Sequence, residues 1–385
     1  MITNILLTDM KHYFLLFILL LVIITIEGCT EELHPETNGT NSPVLNEGEL
    51  TKAVLDLSVN TFAVEAQAET RASIPSNIPE NETSEEKEVH NIWVFQYDAV
   101  TKELLIKPRY YTITDQIMLQ DLPVYLKAGI PSFVYVVTNT GYDNWVNDDT
   151  DTSWQKFKNL EQLKKQTLPT AFPLRSIDKV SIPMVGASEE VEVTTGITVT
   201  VPVTRMYAKL KVKVEMLKAE MKLNNVNVRQ IPNICRIETF AGDGNGEPMN
   251  AVPFPDGTTF SSIAFAASDL EKSEDKEWAV FYVPENLQGE IENQGGNKSD
   301  AAPTNALVVD VTAEIGGEKY LYAAYPGGNS LNNFNIQRNQ VYRMTLTITG
   351  EKGQNNPSSN CFVVKPNGFL SFEPYYRVET GGGYN

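Results

Sequence analysis

Histidine, the side chain best suited to moving a proton near neutral pH, occurs three times in the 385-residue chain. His12 sits in an apolar N-terminal run, His34 in a polar stretch and His90 beside an apolar one. No Ser-His-Asp arrangement and no histidine-rich metal site can be assembled from that set. The motifs H-E-x-x-H and G-x-S-x-G, the P-loop and the dinucleotide-binding glycines are absent. None of the 49 acids is paired locally in a way that singles it out for glycoside hydrolysis. Two loops offer oxygen ligands for calcium: Asp148, Asp149 and Asp151, and Asp243, Asn245 and Glu247 set among Gly242, Gly244 and Gly246. Neither has EF-hand spacing. The first precedes a helical pattern, where acids complement the dipole, and the second reads as a turn. Trp93, Tyr97 and Tyr135 have ring faces that could stack on a sugar, but they lie in apolar strand patterns that read as core. The chain is read as non-enzymatic, with no catalytic residue, metal or cofactor.

The residue whose position does imply chemistry is Cys29. Lys11 and His12 open a basic start, and residues 13–26 are apolar over a length too short for a membrane span and right for a signal-peptide core. Residues 1–28 are therefore read as a signal peptide; a start at Met10 would make it a more typical one. The end of the core, Ile26-Glu27-Gly28-Cys29, resembles the bacterial lipobox, whose cysteine thiol takes a diacylglycerol, although Glu27 is an uncommon occupant. Acyl chains such as palmitate contribute about 0.8 kcal/mol per buried CH₂, so more than one of them anchors a protein stably. Glu31 and Glu32 look like the acidic signal that sends Bacteroidetes lipoproteins to the outer face of the outer membrane. Of the other two cysteines, Cys235 and Cys361, the pattern favours two buried free thiols over a single bridge. A formal charge of -18, nearly all of it beyond Cys29, argues against a nucleic-acid partner.

These residues need elements to place them. Residues 29–49 read as a flexible tether rich in Glu, Asn, Thr and Pro. A first strand over residues 50–61 alternates, with Ala53, Leu55, Leu57 and Val59 on one face. An exposed loop follows over residues 69–88, with Pro75, Pro79 and many acids. Residues 92–97 and 133–138 are strongly apolar strands. Trp154, Phe157, Leu160 and Leu163 fall at helical spacing within one amphipathic helix over residues 153–166. A boundary near residues 201–205 leads into a strand where Leu210, Val212, Val214 and Met216 alternate with Lys209, Lys211, Lys213 and Glu215, the lysines forming a solvated face. Strand patterns return at 278–283, 306–311, 320–325 and 341–348, with turns at Gly316-Gly317 and Gly327-Gly328-Asn329. The economical architecture is all-β: two tandem antiparallel β-sandwiches, residues 50–203 and 204–385, with a short helix inserted in the first.

The order of several motifs along this pattern resembles the Bacteroidetes fimbrillin superfamily, the subunits of type V pili. They are Asn91-Ile92-Trp93-Val94-Phe95-Gln96-Tyr97, Val134-Tyr135-Val136-Val137-Thr138-Asn139-Thr140 and Ile182-Pro183-Met184. Further along come Thr204-Arg205-Met206-Tyr207-Ala208-Lys209, Tyr282-Val283-Pro284-Glu285-Asn286 and Asn333-Phe334-Asn335-Ile336-Gln337-Arg338-Asn339, followed by Tyr342. The resemblance implies transthyretin-like sandwiches and a structural subunit, stalk or tip-like accessory, of a surface-exposed fimbrium with a role in adhesion. It also implies that an arginine-specific protease cuts between Arg71 and Ala72, removing the first strand so that a strand of another fimbrial subunit fills the groove. The alternative reading is an outer-membrane surface lipoprotein that acts as pilus anchor or glycan-binding module. Residues 357–385 read either as strands donated to a neighbour or as the truncated start of a further domain.

Overall fold

Apolar and polar residues that alternate with period two send successive side chains to opposite faces of a strand, and in this protein many strands bury both. The computed structural model describes residues 48–60, 63–64, 82–116, 120–141, 153–168, 173–178, 181–238, 250–273, 276–292, 298–328, 332–348, 361–363, 369–372 and 376–378. The elements begin with β1 (Leu50–Val59), β2 (Ala63–Val64), β3 (Val89–Asp98), β4 (Arg109–Gln116), β5 (Leu122–Lys127) and β6 (Pro131–Thr138). Next come α1 (Leu160–Lys164), β7 (Thr167–Leu168), β8 (Leu174–Arg175), β9 (Met184–Ala187), β10 (Val191–Glu192), β11 (Thr198–Arg205), β12 (Tyr207–Met216), β13 (Met221–Pro232) and β14 (Cys235–Arg236). The remainder are β15 (Phe260–Ala266), α2 (Ala267–Leu270), β16 (Ala279–Pro284), β17 (Val308–Ile315), β18 (Glu318–Tyr325), β19 (Gln340–Ile348), β20 (Cys361–Val363), β21 (Phe369–Phe372) and β22 (Tyr376–Val378).

The first sheet has the order β4-β3-β6-β9-β11-β1-β5, with β10 also on β6. The second runs β2-β19-β12-β16-β8 with β21 on β19, and the third β15-β13-β17-β18-β20 with β22 on β18. The chain is all-β, as its alternation implies. Pairing within the sheets is mixed, however: β1 lies parallel to β11 and β12 parallel to β19. Parallel partners need a long connection between them, which local sequence does not announce.

Three cores separate the layers. Inward residues of the first sheet, among them Leu55, Ile92, Val94, Val136 and Val201, share one core, so the sheet curls round it. The Gln96 amide helps close the curl: its Nε2 donates to the Lys127 carbonyl at 2.9 Å and its Oε1 accepts from the Lys127 N–H at 2.8 Å. Leu210, Phe281 and Met344 of the second sheet meet Val228, Val311 and Tyr322 of the third in another core. The opposite faces of β3 and β16, with Trp93, Phe95, Tyr97, Val280 and Tyr282, join Phe157 and Leu163 in a core between the first and second sheets.

One helix was expected over residues 153–166. Instead Ser153–Phe157 is a 3-10 turn, and α1 starts afresh after Asn159, whose extended backbone breaks the run. The Asn159 Oδ1 accepts from the Gln162 N–H at 2.9 Å and caps the new helix. Phe157 and Leu163 are still core residues, so the apolar spacing held while the backbone between them did not. Gly316 and Gly317, at φ 60° and 85°, form the expected two-residue hairpin between β17 and β18.

Arg175 on β8 ties the second sheet to the third. Its guanidinium donates to Asp178 Oδ1 at 2.8 Å and to Asp269 Oδ2, beyond β15, at 3.2 Å. The hydrogen bond from Arg175 lowers the Asp178 pKa, and the one from Lys272 lowers that of Asp269.

Two outcomes follow. Phe95→Ala, in the core between the first two sheets, lowers the unfolding free energy by about 3–5 kcal/mol in urea melts. Because Asp178 and Asp269 titrate lower when folded than unfolded, their contribution is present above the unfolded carboxylate pKa of about 4 and is lost as pH falls below it. Asp178→Asn therefore flattens the acid limb of a melting-temperature profile while leaving its neutral slope unchanged.

Candidate functional site

The N-terminal strand does not sit at an edge. β1 is inserted between β11, which it meets in parallel with Val54 opposite Thr198 through Val59 opposite Val203, and β5, which it meets antiparallel with Leu50 opposite Lys127 through Leu55 opposite Leu122. Ala53, Leu55 and Leu57 fill apolar pockets in the first core, where all three are buried. Burying a leucine contributes roughly 1.5–3 kcal/mol, so side chains and two ladders both hold β1. Without it, β11 and β5 would each expose a row of unpaired N–H and C=O groups above an open apolar trough.

The slot ends at a buried ionic cluster. Arg205, the last residue of β11, has 0% exposure. Its Nε donates to the Glu86 carbonyl at 2.9 Å, and its Nη1 donates to the Asn60 carbonyl at 2.8 Å and to Asn339 Oδ1 at 3.2 Å. The Glu82 carboxylate lies 3.4 Å from both Nη1 and Nη2. Glu86 Oε1 in turn accepts from the Tyr282 hydroxyl at 2.5 Å and pairs with Lys209 Nζ at 2.7 Å, and its Oε2 accepts from the Thr83 N–H at 3.0 Å. Desolvation pulls the Arg205 pKa down, and the charges of Glu82 and Glu86 oppose it.

This corrects two expectations. The stretch over residues 69–88 was read as an exposed loop, but Glu85–Lys87 is a 3-10 turn and Glu86 is buried. Lys209 was read as part of a solvated face with Lys211 and Lys213. It is buried, because that face of β12 turns towards the first sheet and finds Glu86 there. Lys211 lies over the Trp278 ring and Lys213 pairs with Glu277 at 3.0 Å.

Other motif residues are structural. Arg338 donates to the Glu285 carboxylate at 2.9 and 3.1 Å and to the carbonyls of Arg236, Ile237 and Glu238. Asn139, at φ 54°, donates through Nδ2 to the carbonyls of Glu88 and Ile182. Asn333 Oδ1 accepts from the N–H groups of Asn335 and Gly328. At the neighbouring Gly327 a Cβ would lie 2.1 Å from the Asn333 carbonyl oxygen. Trp93 and Tyr97 are buried core, so they offer no sugar platform, and burial pushes the half-buried Tyr135 phenol up to about 12. Cys235 is a free, buried thiol whose pKa burial raises to about 11. Among the described residues no group of three or more His, Cys, Asp or Glu is placed to hold a metal. Cys29, Arg71 and Ala72 lie outside the described residues, as do Asp148, Asp149, Asp151, Asp243, Asn245 and Glu247.

The ordering of the cluster was hidden in the sequence. Arg205 belongs to a motif that stood out, but an arginine closing an alternating strand carries no sign of burial. Glu86 sits among acids and has no local signal at all.

A family described as Domain of unknown function (DUF4906) matches residues 281–346. A comparison with curated proteins finds no match. Among solved structures, the chain is similar to the tip fimbrial protein Mfa3 from Porphyromonas gingivalis with C-terminal truncation, at 14% identity, 77% of this chain, 94% of that one and a TM-score of 0.45. It is also similar to a fimbrial assembly protein from Parabacteroides distasonis, at 14% identity, 77% and 90% coverage and a TM-score of 0.41.

Removing one partner of the cluster strands the other. Lys209→Met leaves the Glu86 carboxylate buried without its paired ammonium and costs about 3–5 kcal/mol in denaturant unfolding, whereas Lys209→Met combined with Glu86→Leu recovers part of that loss, because it also takes a negative charge away from Arg205.

Proposed function

We propose that this chain is a structural subunit of a type V fimbria, a stalk or tip-like accessory with a role in adhesion, that carries no catalytic activity. It is exported as a lipoprotein on Cys29 and assembled by strand exchange after an arginine-specific protease cuts between Arg71 and Ala72. The observation that carries this reading is the seating of β1, an N-terminal strand held in the interior of a sheet between β11 and β5. A strand at that place is the one whose loss opens a trough that another copy's strand can fill, satisfying ladder bonds and apolar pockets together.

In this reading residues 50–203 are an N-terminal sandwich and 204–385 a C-terminal one. The β2 segment, which runs parallel to β19, leaves with β1. Residues 357–385 are the donated stretch. Support for that role comes from the pairing of residues 361–363, 369–372 and 376–378 as strands along the edges of β18 and β19. The subunit then works on the cell surface, its lipid bringing the precursor to the outer membrane and leaving with the removed segment.

Mass spectrometry of the surface-exposed protein tests this. A polymerised form that begins at Ala72, and that is lost in Arg71→Ala, is the expected result. A mature form that keeps acylated Cys29 in sheared filaments would make the chain an anchor, and a monomer that never enters filaments would end the fimbrial reading.

A further inference from the structure

The apolar side chains of β1 alternate, so a strand displaced by two residues would still turn an apolar face to the core. The pockets for Ala53, Leu55 and Leu57 therefore set the phase of an occupant without setting where it stops. The stop is defined one residue beyond β1. There the Asn60 N–H donates to the Val203 carbonyl at 2.8 Å, its Nδ2 to Thr204 Oγ1 at 2.8 Å, and its carbonyl accepts from Arg205 at 2.8 Å. Three consecutive residues of β11 thus grip one residue of the strand.

Only the third of these contacts reaches further. The guanidinium that takes the Asn60 carbonyl also takes the Glu86 carbonyl and the Glu82 carboxylate. Through Glu86 it meets Lys209 and Tyr282 on the second sheet. An occupant that ends short of Asn60 removes one acceptor from a guanidinium that has 0% exposure when Asn60 is in place.

We propose that Arg205 is the positioning residue for the strand in the β1 slot. It fixes where an occupant ends and couples occupancy of the slot to the order of the turn over residues 82–88. For the chain's own β1 this concerns the geometry above. For an incoming strand it rests on the strand-exchange reading and assigns specificity: the strand of a second copy must run the whole length of β11 and present a backbone carbonyl to Arg205.

Hydrogen exchange on the full chain tests the coupling. Arg205→Lys keeps a positive charge beside Glu82 and Glu86, but one ammonium cannot replace the planar fork that reaches both carbonyls. The expected result is at least tenfold faster exchange of the amides in residues 57–60 and 83–88 together, with β6 and β17 at wild-type rates. A response in only one of the two segments overturns the proposal, and so does uniform acceleration across the chain, which would mark Arg205 as a general stabiliser.

A second measurement does not depend on a variant that folds. The full chain, cut at Arg71 by an arginine-specific protease, is incubated with labelled synthetic peptides of residues 50–60 and 50–59. The longer peptide is expected to stay bound at least tenfold longer, and Asn60→Ala in that peptide, which keeps the carbonyl, is expected to retain most of the advantage. Equal retention of the two lengths overturns the proposal. If neither peptide enters the slot, the strand-exchange reading fails, and the exchange rates alone decide the role of Arg205.

Discussion

A guanidinium removed from water needs acceptors for its N–H groups, and the places where Arg205 finds them bring four distant stretches of chain to one point. The end of β1 supplies the Asn60 carbonyl, the turn before β3 supplies Glu82 and the Glu86 carbonyl, and the residue before β19 supplies the Asn339 side chain. Arg205 itself closes β11. Glu86 at this point is shared with Lys209 and Tyr282, so the cluster joins the first sheet to the second through polar groups as well as apolar ones. Charge is closely matched inside it, which is the condition under which ionic groups persist in an interior.

Around this point the strands are buried on both faces. β3 sends Ile92 and Val94 into the first core and Trp93, Phe95 and Tyr97 into the one shared with the second sheet. β16 divides in the same way, with Phe281 facing the third sheet and Tyr282 facing the first. The first and second sheets are therefore packed layers with a common core, and a side chain on that side of β12 is buried where the first sheet covers it, as at Lys209, and only half-buried further along at Lys211 and Lys213. Lys209 is the result: its position in the alternation is that of a surface lysine, and its surroundings are those of a core residue.

Much of this fold is legible in the residues. Alternation located β1 and β12, continuous apolar runs located β3 and β6, and paired glycines located the turn between β17 and β18, because these signals are local and arise from strand pleat, two-sided burial and backbone φ. The apolar residues of α1 were visible, but the break before it was not, since Asn159 acts as a cap only when the chain on both sides is held elsewhere. For the candidate site, the strand that fills the slot was evident from its pattern. The slot itself was not, because its walls, β11 and β5, are far from β1 in the chain and one of them pairs in parallel.

By itself the sequence determined the all-β class, the period and phase of the strands, the hairpin at Gly316 and Gly317, and the core character of Trp93 and Tyr97. These depend on neighbours within a few residues. Only the tertiary structure decided that β1 lies inside a sheet, that Glu86 and Lys209 are buried partners, and that Arg205 holds both the strand and the turn. Those facts depend on contacts between residues more than a hundred positions apart, such as Arg205 with Asn60 and Lys209 with Glu86. Whether a charged side chain is solvated or sealed is set by the layer that packs over it, and nothing in its own stretch of chain records that layer.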